Sequence, residues 1–228
     1  MFRTRMLHLK RLHGLDSWTP SELLEKFSVR FDQNDSFGFI DTQLKEKIIS
    51  STLIYKTLAR QRVFSPAQNT LSSRRQEVYH YIPFQVDLED GLLEAGLGGT
   101  KLSKLVSILG ILFNFRLTIS DIAFDIHRFI QRLDDNNLDY KVLNVSVANF
   151  SPETGLSGRY IASIFEQEAA RQFIQRQNSN IRRIDVEMAL EGAEMIWRLS
   201  SSGWVSVRTD EEMLDESKAL FKEVFLRQ

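Results

Sequence analysis

Apolar positions recur along this chain with two periods, and the switches between them mark its elements. Residues 2–12 mix Met6, Leu7, Leu9 and Leu12 with basic residues, and their spacing fits either a strand or a short helix. Ser17-Trp18-Thr19-Pro20 is a helix start, with Thr19 as N-cap and Pro20 at the first helical position. Leu23, Leu24, Phe27 and Phe31 give that helix one apolar face. Residues 48–58, rich in β-branched and aromatic side chains, predict a strand. Residues 59–76 are polar and contain Pro66, Asn69 and paired serines, which predicts a long loop. Alternation returns at 78–88, where Val78, Ile82, Phe84, Val86 and Leu88 fall mostly on one face. Asp90-Gly91 is a hairpin turn and 92–95 the return strand. Gly96-Leu97-Gly98-Gly99 breaks it, and Thr100 caps a predicted helix reaching about residue 113.

In the second half, Ser120 is the predicted cap of the most regular helix, with Ile122, Ile126, Phe129, Ile130 and Leu133 at helical spacing. Asp134-Asp135-Asn136-Asn137 stops it. A strand over 140–150 follows, then an apolar run over 160–165 and a helix-like stretch over 166–178. Residues 184–190 alternate as a strand, Glu191-Gly192 turns the chain, and 193–199 with 204–208 form a hairpin. Thr209 and Glu212 have capping-box spacing before a last amphipathic helix containing Met213, Leu214, Leu220, Phe221, Val224 and Phe225, which reaches Leu226.

These elements predict an α+β fold with antiparallel sheets, hairpins and helices packed on one face. Residues 78–113 and 184–226 repeat the order strand, hairpin, return strand, Thr, helix. The pattern fits two similar lobes, 1–115 and 116–228, or one sheet with two similar hairpins.

Composition narrows the chemistry. The 228 residues include 16 Phe, enough for a sizeable core, and no Cys. A disulfide scaffold, thiolate metal sites and a Cys nucleophile are therefore excluded, and a reducing, cytoplasmic setting fits. The most apolar run, 105–115, is interrupted by Ser107, Gly110 and Asn114, so it reads as a core helix and no membrane span is expected. The first 15 residues carry no acid, a composition shared with transit peptides, but they read as an element of the fold.

The net charge of -1 conceals segregation: 13 Lys/Arg face 7 Asp/Glu through residue 76, and 16 face 23 thereafter. Beyond the first 15 residues, two Arg-rich stretches lack acids. Lys47, Lys56, Arg60, Arg62, Arg74 and Arg75 lie between Glu46 and Glu77; Arg171, Arg176, Arg182 and Arg183 lie between Glu168 and Asp185. Arg presents a fork suited to phosphate, and the interleaved Gln61, Gln68, Asn69, Gln172, Gln175, Gln177, Asn178 and Asn180 suit sugars or base edges. The leading expectation is a non-catalytic module that binds nucleic acid or another polyanion through Arg60, Arg62, Arg74, Arg75, Arg171, Arg176, Arg182 and Arg183.

Weaker candidates are a phosphate cradle at Gly98, Gly99, Thr100 and Lys101, in the order Gly-Thr-Lys rather than that of a P-loop, and an acid-assisted metal site. The latter would use Asp87 and Glu89, expected on one strand face, with Asp139 and Lys141 in the acid-x-Lys spacing of metal-dependent nucleases. His8, His13, His80 and His127 form no ligand pair, so no zinc or other cofactor is expected. Ser157-Gly158 and Ser202-Gly203 lack the context of a hydrolase nucleophile. The alternatives to a nucleic-acid-binding module are a protein-interaction or scaffold subunit without nucleic-acid contact, and a metal-dependent nuclease or phosphotransfer enzyme using Asp87, Glu89, Asp139 and Lys141. The acidic end, 210–223, offers head-to-tail association with a second copy. Membership of a bacterial or phage-related complex, such as a defence system, is an expectation that no residue argues for.

Overall fold

The computed structural model describes residues 2–32, 34–67, 69–96, 98–150, 158–177, 180–190 and 192–225. Gln68, Leu97, Ser157, Asn178, Glu191 and Leu226, which enter the sequence reading, lie outside them. Among the described residues the chain forms eleven strands and five α-helices, an α+β fold whose named strand pairings are antiparallel. It divides into two compact units, Leu12–Ile119 and a second built from Met1–Arg11 with Ser120–Gln228. The division therefore falls near residue 119 but assigns the first eleven residues to the unit of the C-terminal half. No helix among the described residues is long and apolar enough to cross a membrane.

In the unit 12–119, the strands β2 (Phe37–Lys45), β3 (Ile48–Ser65), β4 (Thr70–Asp87) and β5 (Leu92–Ala95) pair in chain order. Alternate side chains turn inward: Phe39, Ile49, Leu53, Tyr55, Ile82, Phe84, Val86, Leu93 and Ala95 are all buried. Helix α1 (Pro20–Lys26) begins with a complete capping box, in which the Glu22 N–H donates to the Thr19 hydroxyl and the Thr19 N–H to the Glu22 carboxylate. Its end sets Phe27 among Phe39, Phe84 and Phe113, with edge-on ring contacts at 5.5, 5.4 and 5.6 Å. Helix α2 (Thr100–Leu112) closes this core with Leu102, Leu105, Ile108 and Leu109.

In the other unit, β1 (Phe2–His13) pairs through Phe2–His8 with β11 (Trp204–Asp210). The order continues through β10 (Ala193–Ser200), β9 (Ile181–Leu190), β7 (Tyr140–Phe150) and β8 (Gly158–Ser163). Helices α3 (Ile126–Asp135), α4 (Gln167–Gln177) and α5 (Leu214–Phe225) pack on one sheet face. Trp197 is at their centre, fully buried, with its indole N–H donated to the Ser217 hydroxyl (2.9 Å) and its ring against Phe221 (5.5 Å). Gly203 turns the β10–β11 hairpin at φ +89°, and a Cβ there would sit 2.4 Å from the Ile122 carbonyl oxygen, so only Gly fits. The strand β6 (Thr118–Asp121) precedes α3.

Several expectations are corrected. Residues 59–76 are not a loop: β3 and β4 run on as one hairpin, paired from Ile48↔Asp87 to Ser65↔Thr70. Gly99, not Thr100, is the N-cap of α2, and Thr100 is its first helical residue. Ser120 lies in a strand, and Asp125 caps α3 instead by accepting the Arg128 N–H (3.0 Å). Thr209 belongs to β11, where its hydroxyl donates to the Glu194 carbonyl (3.3 Å), so it is not free to cap α5. Asp87 ends β4 while Glu89 follows it in the turn, so they do not share a strand face.

Candidate functional site

The longest hairpin is also the most unusual surface. β2 pairs with β3 only up to Tyr55, and β5 with β4 only over Phe84–Asp87. Beyond those limits, among the described residues, the strands pair with each other alone. At about 3.3 Å per residue, the nine pairs from Thr57↔Val78 outward extend roughly 30 Å. From Thr57 to Glu77 every residue of described burial is exposed, so the ribbon carries no core on either face. Such a hairpin is marginal by itself. It is rooted by the buried Leu53, Tyr55, Ile82 and Phe84 of the same strands. The turn at its end is where Pro66 and Asn69 sit, with Asn69 at φ +48°.

Arg60, Arg62, Arg74 and Arg75 all lie on this ribbon. Among the described residues none of them forms an ion pair or side-chain hydrogen bond. Arg60 is the direct cross-strand partner of Arg75. Like charges placed opposite one another on a sheet repel. The nearest acid, Glu77, stands at the ribbon's base, bound to Lys56 (3.3 Å) and to the Tyr79 hydroxyl (2.9 Å). Those contacts hold the Glu77 carboxyl below its usual range, the Tyr79 hydrogen bond being the larger cause.

The second basic stretch is different. Arg171 donates to Asp134 (2.7 Å), which also accepts the Tyr140 hydroxyl (2.8 Å). Burial, then the bond to Asp134, raises the Tyr140 pKa, and the Asp134 bond raises that of Arg171. The three groups line an open hollow of about 850 Å³ with Asn137, Leu138, Asp139 and Gln167. Arg183 faces the buried Asp185 (3.4 Å), which also accepts the Nε and Nη2 hydrogens of Arg198 (3.0 Å each). Arg176 and Arg182 are exposed. Arg171 is thus paired with Asp134, while Arg183 shares the single charge of Asp185 with Arg198. Sequence spacing missed the Arg171 pair because Asp134 lies 37 residues before it.

The carboxylate candidates are divided. Asp87 and Glu89 belong to the unit 12–119, Asp139 and Lys141 to the other. The Asp87 carboxylate accepts the N–H groups of Glu89 and Asp90 (3.0 Å each), which closes the β4–β5 turn. Glu89 pairs with Lys47 (3.3 Å). Asp139 and Lys141 are exposed, and Lys141 stands opposite Glu187 in the β7–β9 ladder. Among the described residues no group of three or more His, Asp or Glu is arranged to hold a metal ion. Gly98 and Gly99 lead into α2, with Thr100 and Lys101 exposed in its first turn. No protein-family model matches the chain, and no curated protein matches it.

Proposed function

We propose that this protein is a non-catalytic nucleic-acid-binding module, acting in the cytoplasm, whose contact surface is the β3–β4 ribbon. The observation that carries the reading is the Arg60↔Arg75 pair: two arginines with no carboxylate partner, directly opposite in the register of an exposed ribbon. That arrangement costs free energy in the isolated protein and is relieved by an anion bound between them. Arg62 and Arg74 extend the same charge toward the tip, and no acid lies between Glu46 and Glu77. Of the second stretch, Arg176 and Arg182 retain this role as auxiliary contacts; Arg171 and Arg183 act in holding the fold. Membership of a larger complex or a homo-oligomer is compatible with this reading and is not required by it.

The test is anisotropy with labelled duplex DNA across a salt series. Four phosphate contacts give a log–log slope of about -3.6, or roughly a 150-fold loss of affinity between 50 and 200 mM salt. Replacing Arg60, Arg62, Arg74 and Arg75 together by Ala is expected to remove most of that slope. Unchanged affinity and slope would overturn the proposal.

One observation favours a second reading. The outer edges of the ribbon are unpaired among the described residues, and such edges can accept a strand from a protein partner. A protein that co-purifies equally with wild type and the fourfold Arg variant would favour that reading.

A further inference from the structure

We infer that the ribbon tip is a wedge that inserts between stacked bases of duplex DNA, with Phe64 and Leu71 inserting and Arg60, Arg62 and Arg75 gripping phosphates behind them. The inference rests on the nucleic-acid reading above and adds the form of nucleic acid and the mode of contact.

The register of the hairpin carries it. Directly opposed residues of an antiparallel pair share a face, and the face alternates at each step. Phe64↔Leu71, Arg62↔Ser73, Arg60↔Arg75 and Leu58↔Glu77 therefore lie on one face. Val63↔Ser72 and Gln61↔Arg74 lie on the other. Three of the four arginines share the first face, and Arg74 is separated from them. The outermost pair of that face is wholly apolar, yet Phe64 is 54% and Leu71 67% exposed. Two residues advance a strand by about 6.6 Å, so Arg62 and Arg60 follow Phe64 at roughly 7 and 13 Å.

An occupant of this face must offer apolar surface at the tip and regularly spaced anions behind it. An acidic peptide supplies the anions without a flat apolar slot. Duplex DNA supplies both, a two-stranded ribbon can lie in its grooves, and Phe and Leu are side chains that wedge base steps apart from the minor groove. A single strand is a poorer match, because it is held by several rings along one surface. Phe64 is the sole aromatic residue between Thr57 and Val78 in the sequence. The next ring on the face, Tyr79, is engaged edge-on by Phe31 (5.8 Å) and donates its hydroxyl to Glu77.

The experiment uses the full chain with duplex DNA of about 25 base pairs carrying 2-aminopurine at a deformable pyrimidine–purine step. The matching single strand and a duplex RNA are run alongside. Anisotropy reports binding, and 2-aminopurine fluorescence reports unstacking. Wild type is expected to bind duplex DNA best, with a rise in fluorescence on saturation. The double variant Phe64→Ala with Leu71→Ala should keep the salt slope and lose the rise, while Phe64→Leu, which preserves an apolar tip, should keep both. Arg74→Ala should keep the fluorescence rise and lower the slope by no more than about 0.9. Arg60→Ala, Arg62→Ala and Arg75→Ala combined should flatten the slope by about 2.7. Saturable binding with no fluorescence change, a rise retained by the double variant, or tighter binding of the single strand would overturn the wedge and leave ribbon binding standing. Absence of binding to every nucleic acid tested would instead overturn the reading on which the wedge rests.

Discussion

Phe27 offers a direct test of how the ribbon is anchored. Its ring is 2% exposed and meets Phe39 of β2, Phe84 of β4 and Phe113 just beyond α2. Truncation to Ala removes a buried aromatic side chain, a change that costs about 3–5 kcal/mol. Leu restores part of the volume but forfeits three edge-on contacts, each worth about 0.5–1.5 kcal/mol beyond area, so an intermediate cost of about 2 kcal/mol is expected. With a urea slope near 2 kcal/mol per molar, Phe27→Ala lowers the midpoint by roughly 1.5–2.5 M and Phe27→Leu by about 1 M. The assay is urea titration of protein labelled with 5-fluorotryptophan and followed by fluorine NMR. Of the three tryptophans, Trp18 packs edge-on against Phe113 at 5.1 Å and reports on this core. A midpoint shift of the Trp18 signal below about 0.5 M in Phe27→Ala, with an unchanged slope, would refute the aromatic cluster as the anchor.

Two further outcomes follow from buried polar groups. Ser217→Ala leaves the Trp197 indole N–H without its acceptor in a fully buried position, and should cost about 1–3 kcal/mol in urea unfolding followed at the Trp197 signal. A loss under about 0.5 kcal/mol would mean the hydrogen bond is not made. Burial, then the charge of Lys10, holds the His8 pKa below its usual value, and its Nε2 is buried without a hydrogen-bond partner. The unfolded chain therefore takes up a proton near pH 6.5 that the folded protein resists. Stability is unaffected by His8 above that pH, falls as pH drops through 6.5, and levels off below the folded pKa. His8→Gln should flatten the stability profile between pH 7.5 and 5.5, and a variant profile parallel to wild type would contradict the shift.

The candidate surface was half legible in the chain. Arg60, Arg62, Arg74 and Arg75 stand out in sequence because no acid interrupts them. That they lie on a ribbon was hidden, since a ribbon exposed on both faces needs no hydrophobic alternation, and alternation is what betrays a half-buried strand. Pro66 and Asn69 suggested a long loop, but they punctuate only the tip of the hairpin. Arg171 and Arg183 look as available in sequence as the others. Asp134 at the end of α3 reaches Arg171 on α4 across 37 residues of sequence, and Asp185 lies two residues from Arg183 on β9.

By itself the sequence determined the α+β class, the α1 cap at Thr19, the strand over 140–150 and the hairpins at Asp90-Gly91 and 200–203, because caps, turns and half-buried faces are written in neighbouring residues. Tertiary structure alone decided that Arg171 is already paired with Asp134, and which arginines share a face with Phe64 and Leu71. Those outcomes depend on strand register and on contacts between distant residues. A shift of register by one residue would turn every ribbon side chain to the opposite face while leaving the local sequence signals unchanged.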